Sequence, residues 1–385
     1  MYHCLKYFII VTGLVWSFGA SGADVKINGF ASIVGGKTIS REPLLGGEES
    51  VVYADFANNG LYDSQLTFYP DSNMALQFIV DMEEGLTATA QINAVGSTQF
   101  DAEIAWAFIS WKANSEFTFQ AGRQRIPLYY FSDSLEVAYS YHWIRGPIEI
   151  YNASMANYTG VKLIYETIVS DVPVRFQWYG GESSGFNFVS NAAQAYKDLM
   201  GITLDADHKG LAFRATYGQA KYGLEGATST LNGITLDQGL DNGVDISLGN
   251  VALRLDRLAY FVMAEYSNYS FGDPQWTDIG GFGVKRGDGW YVSSGIRIGA
   301  YTPHITYGAL RFLLDSSAAI FLGLASEDQT LKTRAITVGL RWDFHPSAAF
   351  KFEYYDSKDK SDDLVLLGGE TFTVTAVSMG IDVVF

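Results

Sequence analysis

The chain ends in 371-TFTVTAVSMGIDVVF-385, and this stretch decides the fold. Counted back from Phe385, apolar side chains alternate with small or polar ones: Val383, Ile381, Met379 and Val377 against Asp382, Gly380, Ser378 and Ala376. A period of two predicts a β-strand whose faces meet different environments. The apolar face would cover the core of a soluble protein, or it would contact lipid on a transmembrane barrel.

The opposite end of the chain favours the membrane alternative. Residues 1–23 predict a cleaved signal peptide, because Lys6 precedes the apolar run YFIIVTGLVWSFG and Ser21 and Ala23 are small residues at the cleavage positions. An uncleaved N-terminal anchor is the alternative, but the apolar run is short for a membrane span. We therefore expect an exported protein with one domain over 24–385.

Composition narrows the class of protein. The 385 residues carry a net charge of −16, which argues against nucleic acid as a partner. The single cysteine, Cys4, lies in the predicted signal peptide, so disulfides and thiolate chemistry are excluded from the predicted mature chain. The chain is 48% hydrophobic and has no later apolar run long enough for a transmembrane helix. Its apolar residues must therefore be distributed over alternating strands, which predicts an all-β fold.

Turn-forming residues divide the chain into strand pairs. Tight turns are predicted at 83–85, 114–115, 170–173, 207–210, 256–257, 301–303 and 345–347. Long loops are predicted near 39–71, 96–100, 127–157, 182–198, 223–245, 272–288, 315–331 and 358–370, with a short helix over 192–200. Short turns at one end and long loops at the other are typical of outer-membrane barrels. The pattern predicts a transmembrane antiparallel β-barrel of about 16 strands, with short periplasmic turns and long extracellular loops.

The faces of individual strands can be assigned from the alternation. Over 335–344 the residues Ile336, Val338 and Leu340 would face lipid, and Thr337 and Arg341 would face the lumen. The segments 289–299, 86–94 and 174–179 alternate in the same way. A soluble β-helix or sandwich could alternate too. Aromatic residues near strand ends, however, favour girdles at the two bilayer interfaces: Trp290, Trp342, Phe344 and Phe385.

Arginines recur on the predicted polar faces: Arg175, Arg214, Arg254, Arg297 and Arg341. An arginine facing lipid at mid-depth costs roughly 2–4 kcal/mol, so these side chains are expected to point into the lumen. One hypothesis is a basic wall that lines the pore. The alternative is a set of separate ion pairs with lumen carboxylates such as Asp205, Glu265 and Asp343.

The third predicted loop is too aromatic for a solvated surface segment. The stretch 122-GRQRIPLYYFSDSLEVAYSYHWIRGPIEIY-151 has to bury its rings, and a barrel interior could accept them. Acidic side chains of this loop would then face arginines across a constriction, and the resulting field would set ion selectivity: Asp133, Glu136 and Glu149 with Arg123, Arg125 and Arg145. The alternative is packing at a subunit interface or over the mouth. The alternation would place Arg123 and Arg125 on the same face of the strand as apolar Phe117. Either a bulge at Gly122 therefore shifts the alternation by one residue, or the strand ends there.

Together, the signal peptide, the strand count, the long third loop and terminal Phe385 resemble the Gram-negative general diffusion porins. The resemblance implies an outer-membrane homotrimer surrounded by lipid and lipopolysaccharide, with no cofactor. It also implies an inward third loop with acidic residues opposite arginines, and Phe385 as an assembly signal. The chain lacks the Pro-Glu-Phe-Gly-Gly element of well-known members and has SDSLEVAYSYHWIRGP instead. It therefore resembles a less characterised branch of porin-like proteins.

Several functions fit such a barrel. The leading hypothesis is passive diffusion of small hydrophilic solutes and ions. The second hypothesis is a solute-selective channel, for instance one that prefers anions. An outer-membrane enzyme is disfavoured, because the Gly181 to Gly185 match to G-x-S-x-G falls in a predicted loop rather than a strand–turn–helix. Without paired histidines a transition-metal site is not expected. An adhesin that uses the loops 223–245 or 272–288 remains the last alternative.

Overall fold

The protein forms a closed antiparallel β-barrel of 16 strands. The computed structural model describes residues 24–39, 52–55, 60–151, 155–187, 192–225, 228–231, 234–237, 244–272, 284–314, 329–361 and 371–385. The barrel strands are β1 (Asp24–Thr38), β4 (Asn73–Asp81), β5 (Leu86–Val95), β6 (Ala102–Lys112), β7 (Phe117–Arg125), β8 (Asn157–Val169), β9 (Val172–Asn187), β10 (Ala192–His208), β11 (Leu211–Glu225), β14 (Val244–Asp256), β15 (Tyr260–Phe271), β16 (Val284–Ile296), β17 (Tyr301–Leu314), β18 (Gln329–His345), β19 (Ala348–Ser361) and β20 (Thr371–Val384).

In the described part of the chain, two small hairpins and three 3-10 turns do not belong to the barrel wall. The hairpins are β2 (Val52–Asp55) with β3 (Gly60–Tyr62) and β12 (Thr228–Leu231) with β13 (Ile234–Asp237). The 3-10 turns are Gly96–Thr98, Ser132–Ser134 and Ala138–Ser140. Among the described residues, no helix has the length and apolar character to cross a membrane.

Strand β1 closes the barrel because it pairs on both sides. It pairs with β20 from Phe30↔Val384 to Thr38↔Ala376, and with β4 from Asp24↔Asp81 to Ser32↔Asn73. Closure leaves no unpaired sheet edge, which a sheet surrounded by hydrocarbon requires. The predicted fold class is confirmed.

The observed faces agree with the predicted alternation. Outward side chains such as Val338 and Trp342 are 46% and 40% exposed, whereas inward Ser293 and Thr203 are fully buried. The terminal Phe385 lies on the outer face, and its backbone exchanges hydrogen bonds with Gly29. Its ring covers Gly29, where a Cβ would lie 2.4 Å from the ring atoms. Phe385 therefore packs at the barrel seam, the pairing of β1 with β20 that closes the barrel.

Six of the predicted tight turns fall at or next to observed strand junctions, and the turn at 301–303 is wrong. The chain reverses instead between Ile296 and Tyr301, where Gly299 has a φ of 60°. Glycine adopts that left-handed conformation without a steric penalty. Pro303 lies near the start of β17, a position at which a strand tolerates proline.

The loop predicted at 182–198 and the helix predicted at 192–200 are also wrong. Strand β9 continues to Asn187, and β10 begins at Ala192. A register shift between Lys197 and Met200 explains the error, because a bulge interrupts the period of two. Several predicted segments lie outside the described residues, wholly or in part: the signal peptide 1–23 and loops near 39–71, 223–245, 272–288, 315–331 and 358–370.

Candidate functional site

The third loop joins β7 to β8, and its described residues 126–151 contact inward-facing side chains of the barrel wall. Trp143, Ile126 and Ile150 of this loop are each 1% exposed. They belong to an apolar cluster that combines the loop with wall residues such as Tyr179 and Tyr291. The hydrophobic core of the protein is therefore inside the barrel.

Aromatic edge-to-face contacts hold the loop together. The ring of Phe131 lies 5.6 Å from Tyr141 and 5.8 Å from Trp143, and both pairs are T-shaped. The Trp143 ring meets wall residue Tyr291 at 5.4 Å and 89°. Such pairs contribute about 0.5–1.5 kcal/mol each beyond burial. These contacts explain why a loop so rich in rings has one compact arrangement.

Glu136 fastens the loop to the wall near β4 and β5. Its carboxylate forms an ion pair with Arg125, whose Nη1 lies 2.6 Å away. It also accepts hydrogen bonds from the side-chain amides of Gln91 and Asn93. The Nε of Arg125 also donates to the carbonyl of Ser132 at 3.0 Å. The sequence placed Arg125 and Glu136 in one cluster, and the structure brings them together.

Arg214 and Glu265 hold the same loop from β11 and β15. Nη1 of Arg214 donates to the carbonyls of Tyr129 and Tyr130 at 2.8 and 3.1 Å, and its Nε pairs with Asp205 at 2.5 Å. Glu265, 2% exposed, accepts the Tyr130 N–H at 2.9 Å and the Tyr151 hydroxyl at 2.8 Å. Glu265 thus binds loop groups, rather than one of the five predicted arginines.

The loop tip is fixed by β16, β17 and β19. The Trp143 indole donates to the Thr306 hydroxyl at 2.8 Å, and Glu353 accepts the Ile144 N–H at 2.9 Å. The Lys351 ammonium donates to the carbonyls of Ala138 and Trp143 at 2.6 and 2.5 Å. Lys351 also pairs at 2.8 Å with a second inward-facing residue, Asp382 of β20.

His142 is buried beside the same wall. Its Nε2 lies 2.9 Å from the Ser293 hydroxyl, and its ring centroid is 4.7 Å from that of His304. Burial, reinforced by His304 and by nearby cations such as Lys351, holds the pKa of His142 well below its usual value. His142 is therefore a neutral packing residue near pH 7.

Two arginines make further contacts between the third loop and the rest of the barrel. Arg341 of β18 donates to the carbonyls of Tyr139 and Tyr141, both at 2.7 Å. The Arg145 guanidinium binds Asp71 of the first loop through Nε and Nη2, at 3.0 and 2.6 Å from Oδ2. The third loop therefore has polar contacts with opposite sides of the barrel.

Glu149 approaches the wall where β16 and β17 carry glycines. A Cβ at Gly289 would lie 1.9 Å from the Glu149 carbonyl oxygen, and a Cβ at Gly308 would lie 3.0 Å from its Cγ. Only residues without side chains permit this approach. Glu149 is 4% exposed, so it lies against the wall rather than in open space.

Each of the five predicted pore arginines has a carboxylate within ion-pair distance. Arg175 lies 3.7 Å from Glu166, Arg297 lies 2.8 Å from Asp256, and Arg341 lies 2.7 Å from Asp343. Arg254 also pairs with Asp256, and Arg214 pairs with Asp205. Arg254 and Arg297 thus share one carboxylate, while Arg214 and Arg341 lie beside Asp205 and Asp343, two of the partners named from the sequence.

Arg123 lies apart from the loop network. Its Nε donates to the carbonyls of Ile104 and Ala105 at 3.1 and 3.2 Å, at a register shift in β6. Gly122 before it has a φ of 131°, while the pairing of β7 with β8 continues without a shift to Arg125. Asp133 is half exposed and lies 3.5 Å from Arg214.

A cavity of about 700 Å³ remains beside the loop, at the end of the barrel that carries the short turns. Charged side chains of both signs line it: Glu166, Arg175, Asp205, Asp207, Arg214 and Arg254. Tyr130 and Phe131 of the loop contribute to its apolar lining, together with wall residues such as Val174 and Phe213. The charges that meet water in this cavity are therefore mixed.

Sequence reasoning missed some residues that hold the loop. Lys351, Glu353 and Asp71 were not singled out, although Lys351 and Glu353 alternate visibly with Phe350, Phe352 and Tyr354. That alternation could have identified them as inward-facing charges. It carries no information on their partners.

Comparison with known proteins gives the fold a context. No protein-family model matches the chain, and no curated protein matches it. Among solved structures, the outer-membrane channel DcaP of Acinetobacter baumannii is similar at a TM-score of 0.60 and 11% identity, over 95% of this chain and 99% of that one. OmpF of Salmonella typhi, in a complex with daunomycin, is similar at 0.60 and 15%, over 94% and 98%.

The fold is that of the 16-stranded outer-membrane porins. An anion-selective porin from Comamonas acidovorans is also similar, at a TM-score of 0.55 and 12% identity, over 94% of this chain and 100% of that one. The coverage extends over nearly the whole of both porin chains. The porin-like architecture predicted from the strand pattern is therefore confirmed.

Proposed function

We propose that the protein is a passive outer-membrane channel for small hydrophilic solutes and ions, narrowed by its third loop. The observation that carries the proposal is the fastening of that loop inside a closed barrel. Glu136, Arg214, Glu265, Lys351 and Arg341 hold it from separate strands. A loop held in this way restricts the lumen without reliance on a separate plug.

The charges beside the loop support weak rather than strong ion selectivity. A bare arginine wall would favour anions, but all five predicted arginines lie near carboxylates. Paired charges of both signs leave a transverse field, which orients dipolar solutes, with little net potential along the pore. We therefore rank the anion-preferring channel second.

Neither an enzyme nor an adhesin is part of the proposal. The Gly181 to Gly185 match lies within β9, where the Ser183 hydroxyl donates to the Asn157 carbonyl at 2.6 Å. No group of three His, Cys, Asp or Glu suited to a metal occurs among the described residues. The loops 223–245 and 272–288, on which an adhesin would depend, fall largely outside those residues.

The proposed setting is the outer membrane of a Gram-negative bacterium, reached through a signal peptide at 1–23. We further propose a homotrimer in contact with lipid and lipopolysaccharide. One of the similar structures, OmpT of Vibrio cholerae, is a trimer form. Phe385, whose ring covers Gly29 at the barrel seam, is the proposed assembly signal.

Single-channel conductance in a planar bilayer tests the function. We expect stepwise openings in groups of three and a small reversal potential in a KCl gradient. A large reversal potential of the anion-selective sign would favour the second candidate. A folded barrel that shows no conductance would refute the channel.

A further inference from the structure

Lys162 of β8 is a cation that is buried inside the barrel. Its side chain points inward, because the adjacent Val161 is exposed on the outer face whereas Lys162 is 7% exposed. In the part of the chain that the structure describes, its ammonium has no acceptor within hydrogen-bond distance and no carboxylate within ion-pair distance. A buried charge carries a large desolvation cost, which proteins normally offset with a partner of opposite sign. The position therefore favours the approach of an anion.

Two neighbouring cations strengthen this preference. The guanidinium groups of Arg175 and Arg214 lie near enough to repel the ammonium of Lys162. Both arginines already have carboxylates of the wall beside them: Arg214 pairs with Asp205 at 2.5 Å, and Arg175 lies 3.7 Å from Glu166. Among the described residues, the wall thus supplies one carboxylate for each arginine and none for the lysine.

The carboxylate that acts on all three cations comes from the third loop. Burial alone would raise the pKa of Asp133, but Arg214, Lys162 and Arg175 lower it below the usual value of a carboxyl group. Its ion pair with Nη2 of Arg214 is long, at 3.5 Å, and its side chain is half exposed. Asp133 is therefore a loosely held anion that three cations share.

The backbone around Asp133 is fixed, so its carboxylate can move away by a side-chain rotation alone. Asp133 lies in the middle of a 3-10 turn. The N–H of Ser132 donates to the carbonyl of Tyr129 at 3.1 Å, and the N–H of Ser134 donates to the carbonyl of Phe131 at 2.9 Å. Exposed side chains change rotamer within nanoseconds. A solute anion can therefore take the place of this carboxylate while the loop remains docked.

Solutes reach these cations from the cavity at the short-turn end of the barrel. Arg175 and Arg214 line this cavity of about 700 Å³, and so does Ser134, the residue after Asp133. A cavity of this size lies within the usual range of small-molecule sites. The three cations are thus placed where the lumen has room for a small solute.

We propose that Lys162, Arg175 and Arg214 bind small organic carboxylates, and that Asp133 is the built-in competitor of this site. The proposal names a solute class for the proposed channel and rests on a lumen that solutes enter. The guanidinium forks of the arginines suit a carboxylate, and the ammonium adds a point charge. Because one carboxylate replaces another, the exchange needs no net positive potential along the pore.

Isothermal titration of succinate into the full chain in neutral detergent, at low ionic strength, tests this site independently of conductance. Lys162→Met should weaken binding at least about tenfold, the loss expected for one hydrogen bond to a charged group. Asp133→Asn should strengthen binding about two- to fivefold, because it removes the competing carboxylate of a weak, half-exposed pair. The matched control is Lys112→Met, which removes a lysine from a separate cavity beside Asp24 and Asp81 and should leave the affinity unchanged.

The opposite signs of the two effects separate recognition from loss of structure. Asp133→Asn predicts a gain, so it tests the site also where Lys162→Met fails to fold. An affinity of Asp133→Asn at or below that of the parent would overturn the proposal, and so would equal losses in the two lysine variants. Sulfate that binds as tightly as succinate would also overturn it, because the site would then hold any small anion. A conducting channel that binds no succinate would refute the site and leave the channel standing.

Discussion

Lys351 connects the third loop to the barrel wall, and its replacement offers a sharp test of loop docking. The ammonium is 1% exposed and donates to the carbonyls of Ala138 and Trp143. A hydrogen bond from a charged donor contributes about 1.5–3 kcal/mol, so Lys351→Met should weaken docking by about 3–6 kcal/mol. At 1.4 kcal/mol per tenfold change, the docked population falls at least about a hundredfold relative to the undocked one.

Stability should respond separately from docking. Lys351→Met also leaves Asp382, 2% exposed, as a buried charge without its ammonium partner. Breaking a buried pair in this way costs about 3–5 kcal/mol. The double variant Lys351→Met/Asp382→Leu removes both charges and should recover most of that free energy of unfolding, because an apolar pair replaces a buried ion pair at little cost.

The assay combines conductance with urea unfolding in lipid vesicles. We expect larger or noisier single-channel conductance in both variants, and a free energy of unfolding that is lowered more in Lys351→Met than in the double variant. Lys358→Gln, which removes an exposed outward lysine of the same strand, is the control and should leave both quantities unchanged. Parent-like conductance in the two Lys351 variants would refute the inference that this side chain holds the loop in the pore.

Three further perturbations address the loop and the seam. Gly289→Val should displace the loop and alter conductance, because a Cβ there would lie 1.9 Å from the Glu149 carbonyl oxygen. Gly180→Ala, where a Cβ would meet no atom closer than 3.4 Å, is the control, and equal effects of the two would contradict the prediction. Acidification should loosen the loop: neutral His142 has a lowered pKa in the folded state, so its contribution is present above the unfolded-state pKa of about 6.5 and is lost as the pH falls below it. His142→Phe should reduce that pH dependence of conductance, and an unchanged pH profile would refute the role of His142. Phe385→Ala should slow assembly in vesicles, measured by heat-modifiable electrophoretic mobility, because it uncovers Gly29 at the seam; assembly at the parent rate would argue against this role.

The barrel was largely predictable because each strand that faces lipid on one side alternates apolar outward residues with polar inward residues. Alternation in 335–344 placed Val338 outside and Arg341 inside, and the observed burial agrees. The rule fails where the chain departs from a period of two. The bulge between Lys197 and Met200 made part of β10 look helical.

The partners inside the lumen could not be predicted in the same way. The inward direction of Arg214 and Arg341 follows from the cost of placing them in lipid, and so does the presence of carboxylates nearby. The loop carbonyls that these arginines bind are distant from them in sequence. They become neighbours only when the barrel is closed, so the strand pattern does not identify them. Glu149 illustrates this limit, since its position depends on two distant glycines, Gly289 and Gly308.

The distribution of loop contacts along the chain also has a consequence for biogenesis. The third loop is made before most of the strands that hold it: 213 residues separate Ala138 from Lys351, and 233 separate Arg145 from Ser378. Contacts between residues so far apart in sequence form late and slowly. The rings of the loop therefore have no complete binding surface until the last hairpins arrive. We therefore expect aggregation through these exposed rings to limit the yield of folded protein until the last hairpins pair.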